Sequence, residues 1–536
     1  MKKIIVIISI LFLGIIGVTW LYFNNLSSSE FSNDKIFSLV PNDAAIVFEY
    51  KNETTFYDIF KDFNLFNDIL GKEIVSHLGA VKQIFVGNQK LMPAFAGSDV
   101  YFALNQTEKN NAHLLLLANL AKNIDAETDV INILKDKYKV YVSNYRDEKI
   151  YKIAFSNQSK FRFFVHKSIF VGSFDSLLLN KSINLIKDKN IENQFKINNN
   201  SVRNKNSIAN LYLSFDKLPA FFNNFSNRKN PEETFSLKNI KATASLNINY
   251  QSNAFMFSGI TNPQLNNDNY FNLFLSQQPG VNTLIKIIPF DVANYSFYYT
   301  SNYKDFKTKL QQLQVDQKKW DKLKNQLDIV SKKHAVNLDK ELIPVIGKEF
   351  GVFQLAYGDK IGIVKTNNTN RLRFLLSTIS SEITENISHF DDSYILEVYF
   401  GQPFENFKRP YFAFIENHLI FANNTTALNR FLKNYKNQTF LSRTDKHLAF
   451  QQYLSNQGNI FFFVHNSNSK ALIKSFLSGT SYSDFKSDKF NWKDIYGFAI
   501  QFSADKDKYF TNMYMNKMPQ TGNKLPSVDS LLINTN

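Results

Sequence analysis

Apolar and polar positions along this chain fall into three kinds of run. Residues 4–23 (IIVIISILFLGIIGVTWLYF) stay uncharged and mostly apolar for 20 positions, the length of a helix that spans about 30 Å of hydrocarbon. Short alternating or continuous apolar stretches predict strands at 138–145, 149–155, 161–166 and 169–173, separated by turn-type residues such as Lys167-Ser168. Connections that short join antiparallel neighbours. The third kind repeats every three or four residues and predicts helices. Phe56, Phe60, Phe63, Phe66 and Leu70 make one such stripe, and Phe306, Leu310, Leu313, Trp320, Leu323, Leu327 and Val330 make a longer one. Further on, 394–400, 411–415 and 419–422 read as strands and 425–435 as a helix. Strands at 243–249 and 496–502, each followed by another, close the two series.

The same order of runs occurs twice. FSLVPNDAAIVFEY at 37–50 is similar to IKIIPFDVANYSFY at 285–298, with Pro41 on Pro289 at an offset of 248. FRFFVHKSIFVGS at 161–173 is similar to YFAFIENHLIFAN at 411–423, with Gly172 on Ala422 at an offset of 250, and NLYLSF from Asn210 is similar to NIFFFV from Asn459 at 249. Three matches in one order at nearly constant spacing predict a duplication. The expected fold class is α+β: two tandem halves, each an antiparallel sheet with covering helices, after one transmembrane helix. The halves are residues 36–262 and 284–516, preceded by the anchor at 4–23 and a polar tether at 24–35, and followed by a tail at 517–536. An Asn-rich stretch with Pro263, Pro279 and Gly280 separates them.

Composition changes this picture in two respects. The chain has 536 residues, 44% of them hydrophobic and only 20% charged, with 53 Phe and 25 Tyr, enough to build large cores and to exclude a disordered chain. Its 62 basic and 47 acidic residues leave a net charge of +15, but the basic residues are interleaved with Asn and acids, so a solvated surface is the reading and nucleic acid is not an expected partner. Lys2 and Lys3 precede the long apolar run, which keeps the amino terminus cytoplasmic and exports the rest; Trp20 and Tyr22 fall at the far headgroup boundary. The expected location is therefore a membrane crossed once, with the bulk of the chain exported. The bilayer is one partner, through the N-terminal helix, and an envelope protein or an apolar ligand is another. A cleaved signal peptide is the competing reading of 4–23.

The segments VPNDAAIVFEY at 40–50, IIPFDVANYSFYYTS at 287–301 and IGKEFGVFQL at 346–355 resemble those of uncharacterised signal-anchored envelope proteins of Bacteroidota with duplicated domains. That resemblance implies an extracytoplasmic location and an α+β fold, and carries no activity or site.

Candidate chemistry is sparse. There is no cysteine, hence no thiol nucleophile, thiolate metal site or lipid-modified cysteine. The eight histidines (His77, His113, His166, His334, His389, His418, His447 and His465) are dispersed, and His166 and His465 each end an aromatic strand. Two S-x-x-K spacings, Ser214 with Lys217 and Ser467 with Lys470, could bring an amine to a hydroxyl, but neither has the partner motifs of penicillin-binding enzymes. Asp391-Asp392 reads as a solvated turn before a strand. No catalytic, cofactor or metal residue is assigned, and the expected role is a noncatalytic binding or scaffolding surface, with a periplasmic carrier of lipid or another apolar ligand as the alternative.

Overall fold

Runs of Phe, Leu, Ile and Val broken by turn residues fold here as antiparallel strands. The computed structural model describes residues 35–51, 88–95, 98–105, 113–120, 126–154, 160–187, 209–223, 240–251, 254–265, 268–487 and 494–517, with Gly79, Phe195 and Ser226 besides. The anchor at 4–23 with Lys2, Lys3, Trp20 and Tyr22, the stripe at 56–70, and the tether and tail apart from Lys35 and Lys517 lie outside the described residues. Among the described residues no helix is long and apolar enough to cross a membrane. The fold is α+β, and those residues divide into two compact units at Lys217/Leu218.

In the first unit β1 (Ala44–Lys51), β2 (Asp99–Asn105), β3 (His113–Asn119), β4 (Val140–Tyr145), β5 (Glu148–Ala154), β6 (Lys160–His166), β7 (Ile169–Ser173) and β8 (Ala209–Ser214) pair antiparallel in the order β4-β5-β6-β7-β3-β2-β1-β8. Helix α1 (Ala126–Lys137) leads into β4. Helix α2 (Ser176–Lys187) turns Leu178, Leu179 and Ile183 into a core shared with Val47, Tyr101, Leu115 and Leu117. Each such side chain contributes about 2 kcal/mol by leaving water.

The second unit contains β9 (Ala242–Gln251), β10 (Ala254–Pro263), β11 (Gly280–Val281), β12 (Val292–Tyr299), β13 (Ile346–Leu355), β14 (Lys360–Thr366), β15 (Ser380–Thr384), β16 (Ile387–Phe390), β17 (Tyr411–Ile415), β18 (His418–Ala422), β19 (Gln457–Gly458), β20 (Ile460–His465), β21 (Ile495–Asp505) and β22 (Lys508–Lys517). Apart from the short β11–β19 pair, they run β15-β16-β17-β18-β14-β13-β12-β20-β21-β22-β10-β9, all antiparallel. The compact division therefore falls inside the predicted first half: β9 and β10 belong with β22, where the Thr261 and Thr511 hydroxyls bond at 2.7 Å.

The two ladder systems match in detail. β1 lies between β2 and β8 as β12 lies between β13 and β20, and both central strands bulge at the same step, Ala44/Ile46 and Val292/Asn294. The Ala44 amide donates to the Pro41 carbonyl and the Val292 amide to that of Pro289. Two expected alignments shift. Tyr50 faces Ala209 and Tyr298 faces Ile460, so Asn210 stands level with Phe461, two positions beyond Asn459. His166–Ile169 and Ile415–His418 close equivalent two-residue turns, which sets Gly172 level with Phe421 rather than Ala422. Both slips come from matching letters across strands that are almost uniformly apolar, where only the ladder defines register.

Helix α3 (Tyr303–Asp316) and α4 (Trp320–His334) occupy the long predicted stripe, broken at Lys318, which takes φ 58°. Phe306, Leu310, Leu313, Leu323 and Val330 are buried, whereas Trp320 and Leu327 are half-buried. Short α5 (Leu338–Leu342) and α6 (Thr369–Thr378) follow. The predicted strand at 394–400 is instead helix α7 (Ile395–Phe400), all six residues of which are buried. Its β-like sequence is overruled because its last carbonyls find buried donors: Gln314 Nε2 reaches those of Glu397 (3.0 Å) and Val398 (3.5 Å), Tyr303 that of Tyr399 (2.8 Å) and Tyr270 that of Phe400 (2.7 Å). Gly401, at φ 75°, ends it. Helix α8 (Thr425–Lys436) sits where predicted, capped by Asn424, and with α9 (Asp445–Gln451) covers the core of Phe297, Phe353, Phe431, Phe450 and Phe463.

Candidate functional site

Ladder geometry gathers polar groups that are far apart in the chain. In the first unit Glu49 on β1 is 1% exposed and faces Tyr101 on β2 and Asn210 on β8. Its carboxylate accepts from Tyr101 Oη (2.9 Å), Tyr212 Oη (2.6 Å) and Asn210 Nδ2 (3.1 Å). Phe37 packs edge-on against both tyrosine rings. An acid side chain hydrogen-bonded from both neighbouring strands is built to stay in place.

The second unit holds three further clusters. Glu349 on β13, 4% exposed, accepts from Lys365 Nζ at 2.7 Å and Thr283 Oγ1 at 2.9 Å. Opposite Lys365 lies His418, whose pKa is lowered chiefly by burial and then by the Lys365 charge. His447 on α9 and His465 at the end of β20 flank the Tyr496 ring, with centroid separations of 6.3 and 4.7 Å. Burial pushes both imidazoles down to about 4; His465 adds to the effect on His447, and Lys446 to that on His465. His334 on α4 bonds Asp392 through Nε2 at 2.8 Å, with Lys333 at 3.2 Å. Burial acts to raise the Asp392 pKa, but these two partners together outweigh it and lower it. A buried lysine completes the set: Lys307 on α3 lies 5.3 Å from the Trp320 ring and 5.2 Å from the Tyr399 ring, and burial lowers its pKa.

The residues singled out from the sequence are drawn into separate local roles. Ser214 donates to Asp216 at 2.6 Å, and Lys217 pairs with the same carboxylate at 3.0 Å. Ser467 bonds His465 Nδ1 at 3.1 Å, and that nitrogen also faces the Asn468 amide. His166 pairs with Glu148 at 3.1 Å. Asp391 accepts from Ser381 and Asp392 from His334, ahead of helix α7; the predicted solvated turn before a strand is thus a half-buried hydrogen-bonded turn before a helix. Among the described residues no group of three or more His, Cys, Asp or Glu is placed to hold a metal ion. Sequence reading passed over Glu49 and Lys307. An acid in the strand AAIVFEYK and a lysine inside an apolar stripe are the signals that mark them.

One margin of each ladder system carries exposed apolar residues. β4 pairs in register with β5, and its residues 141–144 are exposed, Tyr141 at 49% and Val142 at 56%. β15, at the corresponding margin of the second unit, exposes Ile383 at 49% beside Glu382. No family model, curated protein or solved structure matches this chain.

Proposed function

We propose that this chain is a noncatalytic, membrane-anchored envelope protein whose duplicated halves, 36–262 and 284–516, form a binding or scaffolding surface on the periplasmic side of a bacterial inner membrane. The anchor reading rests on the apolar run at 4–23 behind Lys2 and Lys3, and the resemblance to Bacteroidota envelope proteins is in keeping with it. The duplication is supported by the shared ladder order, the shared bulge and the matching proline contacts.

The observation that favours a surface over a carrier is the packing of the sheets. At ladder-equivalent pairs, Leu116 opposes Gly172 and Gly362 opposes Phe421, so the small residue has changed strand while the pair stays filled. A Cβ on Gly172 would meet the Phe161 ring at 2.3 Å, and one on Gly362 would meet the Phe421 ring at 2.0 Å. Among the described residues, a pocket lined by Ile240, Tyr270, Phe271, Tyr298 and Phe462 holds about 20 Å³, room for one water, where a lipid or other drug-sized ligand takes roughly 300 Å³ or more.

Two measurements on the full chain extracted from membranes test this. N-terminal sequencing is expected to find residues 4–23 still attached; a mature chain beginning between 24 and 35 overturns the anchor. Organic extraction of the detergent-washed protein is expected to release no stoichiometric lipid. Lipid at one equivalent, lost when a residue lining the ligand is changed to Asp without unfolding, installs the carrier.

A further inference from the structure

We propose that β4 is a dimerisation edge, on which a second copy of this chain adds its own β4 antiparallel to the first. The proposal names one partner for the surface proposed above and rests on that reading only for the crowding an anchor provides.

An outer strand presents alternate N–H and C=O groups to any strand that approaches, and proteins usually guard such strands with charge, proline, a bulge or a covering element. The two margins differ in this respect. β15 (SSEIT) carries Glu382, exposed, at its centre. β4 (VYVSNY) has six residues with no charge, proline or glycine, pairs among the described strands with β5 alone and without a bulge, and leaves four consecutive residues exposed.

The chemistry of the strand selects a copy of itself. With Ser143 opposite the partner's Ser143, each Tyr141 meets a partner's Tyr145 and each Val142 a partner's Asn144, so two aromatic cross-strand pairs form about the two-fold axis. The chain pairs related strands in the same way internally: β10 and β22 run antiparallel with Ser258 opposite Asn512, the same step counted from the start of each strand. A six-residue strand pair is a small interface, and confinement of both copies to one membrane supplies the effective concentration it needs.

The absence of cysteine makes the test direct. Residues facing each other across an antiparallel pair have Cα atoms about 4.5–5.5 Å apart, within the reach of a disulfide. Full-length Ser143→Cys, oxidised in its own membrane, is expected to run as a covalent dimer on a nonreducing gel. Glu382→Cys on β15, as exposed and equally concentrated, is expected to stay monomeric. Adding Val142→Lys to Ser143→Cys should lower the dimer yield several-fold while the melting curve stays unchanged, because two like charges then enter the paired edge. The proposal is overturned if the two single-cysteine chains cross-link equally, if Val142→Lys leaves the yield unchanged, or if the Ser143→Cys chain is captured by a different protein instead of its own copy. None of these outcomes bears on whether 4–23 is retained or lipid is carried.

Discussion

At corresponding points of the two ladder systems, one sheet buries an acid and the other buries rings. Around β1 the facing residues are Glu49, Tyr101, Asn210 and Tyr212, joined through one carboxylate. Around β12 the residues at the same steps are Phe297, Gly351, Phe461 and Phe463. There the Phe297 ring stacks on Tyr295 at 4.4 Å and occupies the space a Cβ on Gly351 would need, 2.5 Å from its Cδ1. The backbone arrangement is the same, so the strand order does not require either solution. What each demands is completeness: a buried acid needs its lone pairs met, and a buried ring needs its volume cleared.

The comparison can be broken hardest at Glu49. Glu49→Leu leaves two tyrosine hydroxyls and an asparagine amide without their shared acceptor, and is expected to cost about 4 kcal/mol in urea unfolding. Glu49→Gln keeps an acceptor oxygen and should lose about half as much. If the two substitutions prove equally mild, the cluster does not hold that sheet.

Acid is expected to act on the second unit. His447 and His465 take their protons near pH 4 in the folded chain, against about 6.5 when unfolded. Between those values the unfolded chain binds more protons, so the stabilising contribution is complete above pH 6.5 and is lost as pH falls towards 4. The loss is about 3 kcal/mol for His447 alone. Hydrogen exchange in β20 and β21 should quicken across that window, and His447→Phe should flatten the response.

Gly351→Ala comes next, at about 2 kcal/mol, because the new methyl meets the Ser296 carbonyl oxygen at 2.4 Å as well as the Phe297 ring. Alanine at Gly79, where nothing lies within 4 Å, is the control in a thermal melt and should shift it little. The smallest effect belongs to the sheet margin: Tyr141→Lys, on an exposed strand, should change stability by under about 0.5 kcal/mol while weakening self-association.

Much of the local architecture was legible beforehand. Strands β5 to β7, β17, β18 and β21 and helix α8 occur close to their predicted bounds, because alternating or continuous apolar runs between turn residues have one economical backbone solution. The misreadings share a cause. YILEVYF at 394–400 has the composition of a strand, and only Gln314, Tyr303 and Tyr270, about 80 to 130 residues earlier in the chain, make it a helix. By letter Asn210 matches Asn459, and the ladder sets it level with Phe461, two positions on. For the candidate sites the sequence offered spacings such as Ser214 with Lys217 and Ser467 with Lys470, which the fold turns toward Asp216 and His465.

By itself the sequence determined the α+β class, the antiparallel hairpins and the absence of thiol chemistry, since each depends on residues near one another in the chain or on composition alone. Tertiary structure decided the strand register, the helix at 395–400, the joining of β9 and β10 to β22, and the choice between a buried carboxylate at Glu49 and a buried ring at Phe297. Those outcomes depend on hydrogen bonds and excluded volume between residues about 50 to 260 positions apart, and no local pattern records which distant donor or ring will arrive.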